Sequence, residues 1–404
     1  MKTEDQNRMD NKVSTPFFLI REQILNDNIS GFKKALKELW PNSTLAYSEK
    51  TNSLPWILRW MKQHGVLAEV VSDEEYKVAL MCGYSDEQIV FNGPIKGADA
   101  LDRALDGGAF VNLDSERDIR FCAAYGSKIH ASLGIRLNVD PGIFSIEDVG
   151  FQEDGFRFGF SEESGAFSRA LSILAPVYDV KRIGLHLHVN SVTRAVNVYR
   201  NIARYAAELI DKYRLEPAFI DIGGGFFGGV PGKPEPSAYL LAIKSELEKH
   251  VDISHTKLIL EPGSAAIGSA VELHTSVVDV KDTAHARIVT TDGSRIHIDP
   301  LWQKKTYLHK TSATAAAYPR QIICGYTCMD HDRLMVLENE AELAVGDKIV
   351  YQRVGNYTVT FGGPFIRPLP PVYAEREGSL KLVRREMTAE DFFNMESNHE
   401  LSDV

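Results

Sequence analysis

Eight short apolar segments, each followed at once by polar residues, place the strongest constraint on how this chain can fold. Patterns typical of helices separate these segments wherever the spacing allows. Eight alternating strand and helix units predict an α/β fold, a closed (β/α)8 barrel of the TIM type with parallel strands. The predicted barrel strands are Leu45-Ala46-Tyr47, Leu67–Ser72, Ile89–Asn92, Ala109–Asp114, Gly134–Asn138, Arg182–His188, Phe219–Gly223 and Leu258–Glu261.

The residue patterns inside these units support the alternation. Leu54, Ile57, Leu58 and Met61 recur at the spacing of a single helical face, and Gly65 ends the pattern. The strand segments are instead nearly continuous apolar runs, as expected of parallel strands that are buried on both faces.

The length of the chain predicts a second domain. Its 404 residues exceed the roughly 250 that such a barrel needs. After the barrel, apolar segments separated by turn-prone glycine pairs predict a C-terminal β domain, completed by the strand at Pro16-Phe17-Phe18-Leu19-Ile20. The predicted β-domain strands are Val271–Val280, Arg287–Thr291, Gln321–Gly325, Lys348–Tyr351 and Tyr357–Phe361. The predicted divisions are a mobile segment at 1–14, a strand and helix at 15–40, the barrel at 41–270, the β domain at 271–385 and a polar, acidic tail at 386–404.

Composition and charge argue against several classes of protein. The formal net charge is -10, and no basic stripe suits a phosphate backbone, so nucleic acid is not an expected partner. No apolar stretch approaches the ~20 residues of a membrane span, so no membrane partner and a cytoplasmic location are expected. The four cysteines are too scattered for a disulfide framework or a paired zinc motif, and no metal site is predicted; they are Cys82, Cys122, Cys324 and Cys328.

The residues that follow the predicted barrel strands are the candidates for chemistry, because active sites of such barrels lie at the C-terminal ends of the strands. These candidates are Lys50, Ser72, Glu75, Asn92, His188, Ser191, Gly223 to Gly225 and Glu261. A lysine, an imidazole, a glycine run and a carboxylate at one barrel mouth suit pyridoxal phosphate, whose aldehyde, ring face, phosphate and ring nitrogen need those four kinds of group.

Seven motifs, in order, resemble those of the pyridoxal-phosphate-dependent diaminopimelate/ornithine decarboxylase family. The resemblance covers the chain from about Pro16 to Pro368 and implies an alanine-racemase-like barrel with a β domain, the fold type III of these enzymes. The motifs are Tyr47-Ser48-Glu49-Lys50-Thr51-Asn52, Glu69-Val70-Val71-Ser72-Asp73-Glu74-Glu75, Gly184-Leu185-His186-Leu187-His188-Val189-Asn190-Ser191, Gly223-Gly224-Gly225, Glu261-Pro262-Gly263, Cys328 with Asp332, and Gly355-Asn356-Tyr357.

The resemblance implies a role for each matching residue. Lys50 matches the Schiff-base lysine, Glu261 the carboxylate that pairs with the ring nitrogen, and His188 the imidazole on the ring face. The phosphate cradle corresponds to Ser191, Gly223, Gly224 and Gly225, followed by Gly263 and Ser264. Each residue also has a purely structural alternative, such as a solvated lysine, a capping glutamate or an ordinary glycine loop, and for His186 the structural role is favoured.

Two further matches imply that the active site is shared across a homodimer. Tyr357 matches a tyrosine that contacts the cofactor from the start of a C-terminal strand. Cys328 matches a cysteine that family members supply from the neighbouring subunit, where it helps to protonate the substrate carbon after carbon dioxide leaves. Without the motif, Cys328 would be read as a small buried hydrophobe.

Three positions depart from the family pattern. Ser264 stands where an arginine normally follows Glu-Pro-Gly, which removes a bidentate anion ligand. Met329 replaces the acidic residue that binds the distal amine of the substrate in the family, and Asp330 follows one position later. Asp299 stands before Pro300, where diaminopimelate enzymes carry an arginine for the distal carboxylate. Asp299, Met329, Asp330 and Asp332 are therefore the candidate substrate-binding residues, and Asp299 has capping a turn as an equal alternative.

These departures favour a decarboxylase that acts on an amino acid, or a group derived from one, with a non-standard distal portion. Like-charge repulsion between Asp299 and a distal carboxylate would disfavour meso-diaminopimelate. The predicted setting is specialised biosynthesis of siderophores, antibiotics or modified peptides. The alternatives are an ordinary diaminopimelate decarboxylase of lysine biosynthesis, an amino-acid racemase of the same fold, and a non-catalytic regulatory homologue.

Overall fold

The structure, a computed structural model, describes residues 13–126, 128–150 and 153–397. The chain divides into two units, one formed by residues 27–266 and the other by residues 1–26 together with 267–404. Residues 1–12 of the segment that was predicted to be mobile, and residues 398–404 of the predicted acidic tail, lie outside the described residues.

The first unit contains a closed barrel of eight parallel strands, which confirms the predicted fold. Each strand pairs in parallel with the next, and β2 closes the ring by pairing with β9, with Ser43 opposite Leu258. The strands are β2 (Ser43–Ser48), β3 (Leu67–Val70), β4 (Ile89–Phe91), β5 (Phe110–Leu113), β6 (Ser132–Arg136), β7 (Gly184–His186), β8 (Phe219–Asp221) and β9 (Lys257–Leu260).

Apolar side chains fill the barrel around Phe219. Ala46, Val90, Phe219 and Ile259 are fully buried and form one cluster. A Cβ atom at Gly184 would lie 2.4 Å from the ring of Phe219, so a glycine is required for the ring to fit. The filled interior leaves chemistry to the strand ends.

Helices follow the barrel strands in the order that the sequence predicts. The helix predicted from Leu54 to Met61 forms as α2, and Gly65 beyond its end has a φ of +63°. The helices are α1 (Glu22–Leu39), α2 (Pro55–Gln63), α3 (Asp73–Met81), α4 (Ala98–Gly107), α5 (Glu116–Tyr125), α6 (Ala166–Leu174), α7 (Val196–Tyr213), α8 (Pro236–Leu247) and the short α9 (Ser264–Ile267). No helix in the described ranges is long and apolar enough to cross a bilayer.

The second unit is built on a β sheet whose central path runs β14-β13-β11-β10-β1-β16-β17. Strand β1 pairs antiparallel with β10 and parallel with β16. The strands are β1 (Phe17–Arg21), β10 (Val271–Asp282), β11 (Arg287–Thr291), β12 (His309–Thr311), β13 (Ala317–Cys324), β14 (Arg333–Ala341), β15 (Lys348–Tyr351), β16 (Val372–Arg376) and β17 (Ser379–Arg384). Two helices, α10 (Arg295–Ile298) and α11 (Ala389–Glu396), complete the unit.

The prediction of a strand at Tyr357–Phe361 is wrong, because this segment forms turns. Tyr357 has a φ of +55°, which an extended strand does not allow. The backbone N–H of Phe361 donates to the carbonyl of Thr358 at 3.1 Å, which closes the chain locally instead of pairing it with a neighbour. Tyr357 therefore lies in a loop.

Candidate active site

Lys50 lies directly after barrel strand β2, in a short 3-10 turn formed by Glu49–Thr51. Its Nζ donates to Ser48 Oγ and to Glu69 Oε2, both at 2.7 Å. Glu69 belongs to β3 and is only 1% exposed, whereas the lysine side chain is 40% exposed. The strand ends thus hold the lysine amine between a buried carboxylate and the open mouth of the barrel.

A chain of buried hydrogen bonds connects this lysine to Glu261 at the end of β9. The amide nitrogen of Asn92 donates to Glu69 Oε1 at 3.0 Å and to Glu261 Oε1 at 2.6 Å. Its carbonyl oxygen accepts a bond of 2.8 Å from Asn112, which also donates to Asp221 Oδ2 at 3.0 Å. Two amides therefore join three carboxylates that would otherwise repel one another.

The buried carboxylates differ in their readiness to ionise. Burial opposes the charge of Glu69, but Lys50 outweighs it and lowers the pKa of Glu69. Burial raises the pKa of Glu261 well above its ordinary value, and the charges of Asp221 and Glu69 raise it further. Burial also raises the pKa of Asp221, and the two acids are hydrogen-bonded to each other. Glu261 is thus an acid that can hold a proton here and would ionise beside a cationic partner.

Two histidines of β7 and the loop after it lie beside this chain. His186 is buried, neither ring nitrogen has a partner among the described residues, and Nε2 lies 3.9 Å from Glu261 Oε2. His188 accepts a bond of 3.3 Å from the backbone N–H of Gly224 through Nδ1. Burial lowers the pKa of both rings, that of His188 to about 3, so both imidazoles are neutral at ordinary pH. His186, Asp221 and Glu261 place donor atoms within 4.8 Å of one another, a spacing that a cation could bridge.

The predicted phosphate cradle is backbone that approaches its neighbours too closely for any side chain. A Cβ atom at Gly223 would lie 2.7 Å from His188, and one at Gly224 would lie 2.4 Å from the carbonyl oxygen of Glu261. Gly263 is confined in the same way by Thr51, with a Cβ distance of 2.1 Å. Ser264 opens the short helix α9. The glycines therefore let the backbone pack against His188, Glu261 and Thr51, and the N–H groups of Gly223 and Gly224 donate to Asp221 and His188.

Three other candidates from the sequence take part in local structure. Ser72 caps α3 by accepting from the N–H of Glu75 at 3.2 Å, and Glu75 accepts from the N–H of Val71 at 2.7 Å. Ser191 Oγ accepts from the N–H of Arg194 at 2.9 Å, which leaves its own O–H to donate. The structure thus gives Ser72 and Glu75 capping roles.

Sequence reasoning missed Glu69, Asn112 and Asp221 as members of the site. All three lie inside barrel strands whose neighbours are apolar. A polar residue within a parallel strand that is otherwise apolar must find a buried partner, and that pattern was the available signal.

A cavity of about 250 Å³ adjoins His188 at the ends of β6 and β7. Phe158 lies in its wall, with the guanidinium carbons of Arg136 and Arg157 at 4.4 and 4.3 Å from the ring centroid. Arg136 also donates to Asp114 at 2.8 Å. The cavity offers an apolar wall with cationic edges, as an amino acid with an aliphatic chain would need.

In the β domain, the carboxylate of Asp299 is occupied by its own loop. Arg295 donates to Asp299 Oδ2 from Nε at 2.9 Å and from Nη2 at 2.8 Å. The backbone N–H groups of Gln303 and Lys304 donate to its two oxygens at 3.0 and 2.8 Å. Asp299 and Lys304 also line a cavity of about 100 Å³ beside Tyr357. The aspartate is therefore an ion-paired carboxylate that stabilises a turn, which is one of the two roles predicted for it.

Asp332 has a similar structural role near the cysteine motif. It is buried and accepts hydrogen bonds from Ser294 Oγ at 2.9 Å, from the N–H of Arg295 at 2.9 Å and from Thr327 Oγ1 at 2.7 Å. Cys328 and Asp330 are exposed and Met329 is partly exposed, so these three side chains of the loop face outward.

The barrel residues fit pyridoxal phosphate. Lys50 presents an amine, the buried Glu261 has a raised pKa that suits a ring nitrogen, and His186 has ring nitrogens without partners among the described residues. The glycine run after β8 has no side chains that would block a phosphate group from the backbone. These four features match the aldehyde, ring and phosphate of the cofactor.

Curated relatives resemble the chain over nearly its whole length. A probable chloroplastic diaminopimelate decarboxylase of Oryza sativa subsp. japonica is 26% identical over 95% of this chain and 80% of its own. The diaminopimelate decarboxylase of Bacillus methanolicus is 28% identical over 93% and 91%. The structure of diaminopimelate decarboxylase from Helicobacter pylori, complexed with L-lysine, has a TM-score of 0.80 at 23% identity, covering 97% of this chain and 99% of that one.

These relatives overturn the predicted role in specialised biosynthesis. The prediction of a substrate with a non-standard distal portion is wrong, and the alternative of a diaminopimelate decarboxylase is better supported. That prediction assumed that Asp299 has no cationic partner and would repel the distal carboxylate of the substrate. Two hydrogen bonds from Arg295 to one oxygen of Asp299 remove that premise, because the carboxylate already has a cationic partner.

A family model supplies the remaining comparison. The pyridoxal binding domain of the pyridoxal-dependent decarboxylases matches residues 25–268, which include the whole barrel. Fold, site and match together assign pyridoxal phosphate as the cofactor and carboxy-lyase as the class of enzyme. The chain belongs to the pyridoxal-dependent decarboxylase family.

Proposed function

We propose that this protein decarboxylates meso-diaminopimelate to L-lysine, with Lys50 and Glu261 at opposite ends of the cofactor. The observation that carries the proposal is the buried hydrogen-bonded chain from Lys50 through Glu69 and Asn92 to Glu261. The diaminopimelate decarboxylases among its relatives supply the substrate. A cytoplasmic location is part of the proposal.

The barrel residues divide the work of the reaction between them. When bound, pyridoxal phosphate supplies an electron-accepting ring for the electron pair that the departing carbon dioxide leaves behind. Lys50 would anchor the cofactor and exchange places with the amine of the substrate. Glu261 would hold a proton at the ring nitrogen, and neutral His188 would pack on the ring face. Ser191, Ser264 and the backbone of Gly223 to Gly225 and Gly263 would hold the phosphate.

The β-domain residues would complete the site. We propose that Cys328 from a second copy of the chain gives the proton that replaces carbon dioxide on the substrate carbon, since its thiol is exposed. Met329 and Asp330 on the same loop remain the candidates for contact with the distal end of the substrate, and Tyr357 for contact with the cofactor. Asp299 and Asp332 would act by shaping their loops.

Carbon dioxide release from meso-diaminopimelate, L-lysine and L-ornithine by the cofactor-loaded protein tests the substrate. We expect kcat/KM for meso-diaminopimelate to exceed that for the other two by at least about tenfold, because each lacks a group that the site must pair. Lys50→Ala is the control for release without the enzyme. A higher kcat/KM for lysine or ornithine would contradict the proposed substrate.

Mixing two inactive variants tests whether the site is shared. In a homodimer, Lys50→Ala and Cys328→Ala chains that exchange subunits should recover about a quarter of wild-type sites by random pairing. Each variant mixed with itself is the control. If activity does not return after subunit exchange has been verified by mass, each site is built from a single chain.

A further inference from the structure

We propose that Asn92 is a positioning residue that couples the two ends of the cofactor, by holding the carboxylate beside Lys50 and the carboxylate of Glu261 through a single amide nitrogen. The inference rests on the proposed assignment of Lys50 and Glu261, and it adds a residue to which that assignment gives no role. Its basis is the geometry of one buried side chain between two strands.

The amide of Asn92 reaches both carboxylates at once. Its Nδ2 lies 3.0 Å from Glu69 Oε1 and 2.6 Å from Glu261 Oε1, and its side chain is buried. An amide nitrogen has two hydrogens, so both contacts are full donations. The other oxygen of Glu69 accepts from Lys50 Nζ, so only Glu69 and Asn92 separate the lysine from Glu261.

The carbonyl oxygen of Asn92 is held as well, which fixes the direction of the amide. It accepts from Asn112 Nδ2 at 2.8 Å, and the same nitrogen donates to Asp221. A reversed amide would turn its oxygen toward two carboxylates and its nitrogen toward the donor of Asn112. Asn112 thus keeps Asn92 in the one orientation that serves both acids.

The two acids consequently cannot change charge independently. Each acid accepts its own hydrogen, but both hydrogens belong to one amide, so an ionised carboxylate draws the whole amide toward itself and a protonated one lets it move toward the other acid. Because Glu69 is the partner of the lysine nitrogen, a change at Glu261 alters how well Glu69 stabilises positive charge on that nitrogen. Loss of positive charge beside Glu261 would therefore change the protonation of the lysine nitrogen beside Glu69, and the reverse would also hold. The effect would act through this amide as well as through space.

A double-substitution cycle followed by spectroscopy tests the coupling without relying on turnover. The readout is the pH midpoint of the near-ultraviolet to visible absorbance change of the cofactor-loaded protein, which reports the protonation of the lysine-derived nitrogen. Glu261→Gln removes an acid whose ionised form favours positive charge on that nitrogen, and Asn92→Leu removes one of the hydrogen bonds that, after Lys50, lower the pKa of Glu69. Each substitution should therefore lower the midpoint, by about one pH unit. Combined, they should lower it by clearly less than the sum, with the effect of Glu261→Gln at least halved when Asn92→Leu is also present.

Asn201→Leu is the matched control, because it removes an amide of the same size that donates to the carbonyl of Ile143 at 2.7 Å, outside the hydrogen-bonded chain between Lys50 and Glu261. Combined with Glu261→Gln, it should give additive shifts. Additive shifts for the pair at positions 92 and 261, or equal non-additivity for the control pair, would overturn the coupling. Asn92→Thr keeps one O–H donor, which can serve one acid at a time, and should behave as Asn92→Leu does.

Loading of the cofactor supplies a second measurement. If Asn92→Leu and Asn92→Thr fail to retain pyridoxal phosphate while Asn201→Leu retains it, the result supports a residue that holds both ends. Equal failure of all three variants would overturn a specific role. Borohydride reduction of the wild-type protein checks the premise separately: if peptide mapping finds no label on Lys50, the proposed function fails, and the coupling fails with it.

Discussion

The acidic residues at the barrel mouth and those in the β domain are equally buried, yet they are satisfied in different ways. Glu69 and Glu261 accept hydrogen bonds from the side chains of Asn92 and Lys50, all of which lie at strand ends around one opening. Asp299 and Asp332 accept mostly from backbone N–H groups and side chains of their own loops. The first arrangement holds charges ready for a ligand, whereas the second uses charges to shape the chain. Substitutions should therefore affect chemistry in one region and stability in the other.

The largest expected effect is that of Lys50→Ala on chemistry. We expect turnover to fall by about three orders of magnitude or more and borohydride to fix no cofactor on the chain, because the amine that anchors the cofactor is gone. The melting temperature of the cofactor-free protein should fall as well, because the buried Glu69 loses the cation that lowers its pKa. A stable covalent adduct in the variant would contradict the assignment.

Glu261→Gln should retain the cofactor and slow turnover by about 10²–10³-fold. Glutamine keeps the size of the side chain and can still accept from Asn92, but it cannot hold a negative charge against the ring nitrogen. Single-turnover carbon dioxide release measures the loss, and Glu75→Gln is the control because Glu75 serves α3. Similar rates for Glu261→Gln and the wild type would remove Glu261 from the mechanism.

Asp332→Ala should affect stability more than chemistry, and it should lower the free energy of unfolding by about 3–5 kcal/mol. The substitution leaves the hydroxyl groups of Ser294 and Thr327 and the N–H of Arg295 without their buried acceptor. Urea unfolding measures the loss, with exposed Asp330→Ala as the control. If Asp332→Ala abolishes turnover while leaving stability intact, the distinction between the two regions is broken.

Glu49→Gln tests the opposite case, a barrel acid that lowers stability. Burial, followed by the charges of Glu75 and Glu69, raises the pKa of Glu49 from an ordinary 4.5 to about 9, and neither oxygen has a partner among the described residues. The unfolded chain therefore ionises first, and wild-type stability falls as the pH rises through that window. Between pH 5 and 7 the variant should gain up to about 3 kcal/mol relative to the wild type. A difference that does not vary with pH would show that Glu49 ionises normally in the fold.

Glu272→Gln should give the smallest effect, with the opposite dependence on pH. Burial acts against the charge of Glu272, but His274 and Arg21 outweigh it and lower the pKa to about 2. The stabilisation is complete above an ordinary pKa of 4.5 and is lost as the pH falls toward 2. Between pH 4.5 and 3 the wild type should lose about 2 kcal/mol that the variant does not. Thermal melts of both proteins across this range test the prediction. If the melting temperatures of the two proteins change with pH in the same way, Glu272 is not stabilised by Arg21 and His274.

The barrel could be predicted from sequence because its signal is local and repeated. Each strand is an apolar run and ends in polar residues, so Lys50, Asn92, His188 and Glu261 could be placed at one mouth before any coordinates were known. The turn at Tyr357 could not be predicted in this way, because its positive φ depends on contacts that residue type does not reveal.

The substrate was harder to predict because it depends on pairing between side chains. From its position before Pro300, Asp299 was predicted either to face the substrate or to cap a turn. Its neutralisation needs Arg295 four residues earlier on α10 and two N–H groups of the following loop, an arrangement that only the folded chain brings together. Asn112 and Asp221 carried a sequence signal, as polar residues inside apolar strands, but their partners lie on other strands.

The place of β1 in its sheet sets an order for folding during synthesis. Phe17, Phe18, Leu19 and Ile20 are buried between β10 and β16, which are translated long after them. The ribosome completes the entire barrel sequence before it reaches the first of these partners, and the second ends only at Arg376. The barrel can therefore fold while the chain is still growing, whereas β1 lacks its second partner strand until synthesis has passed Arg376.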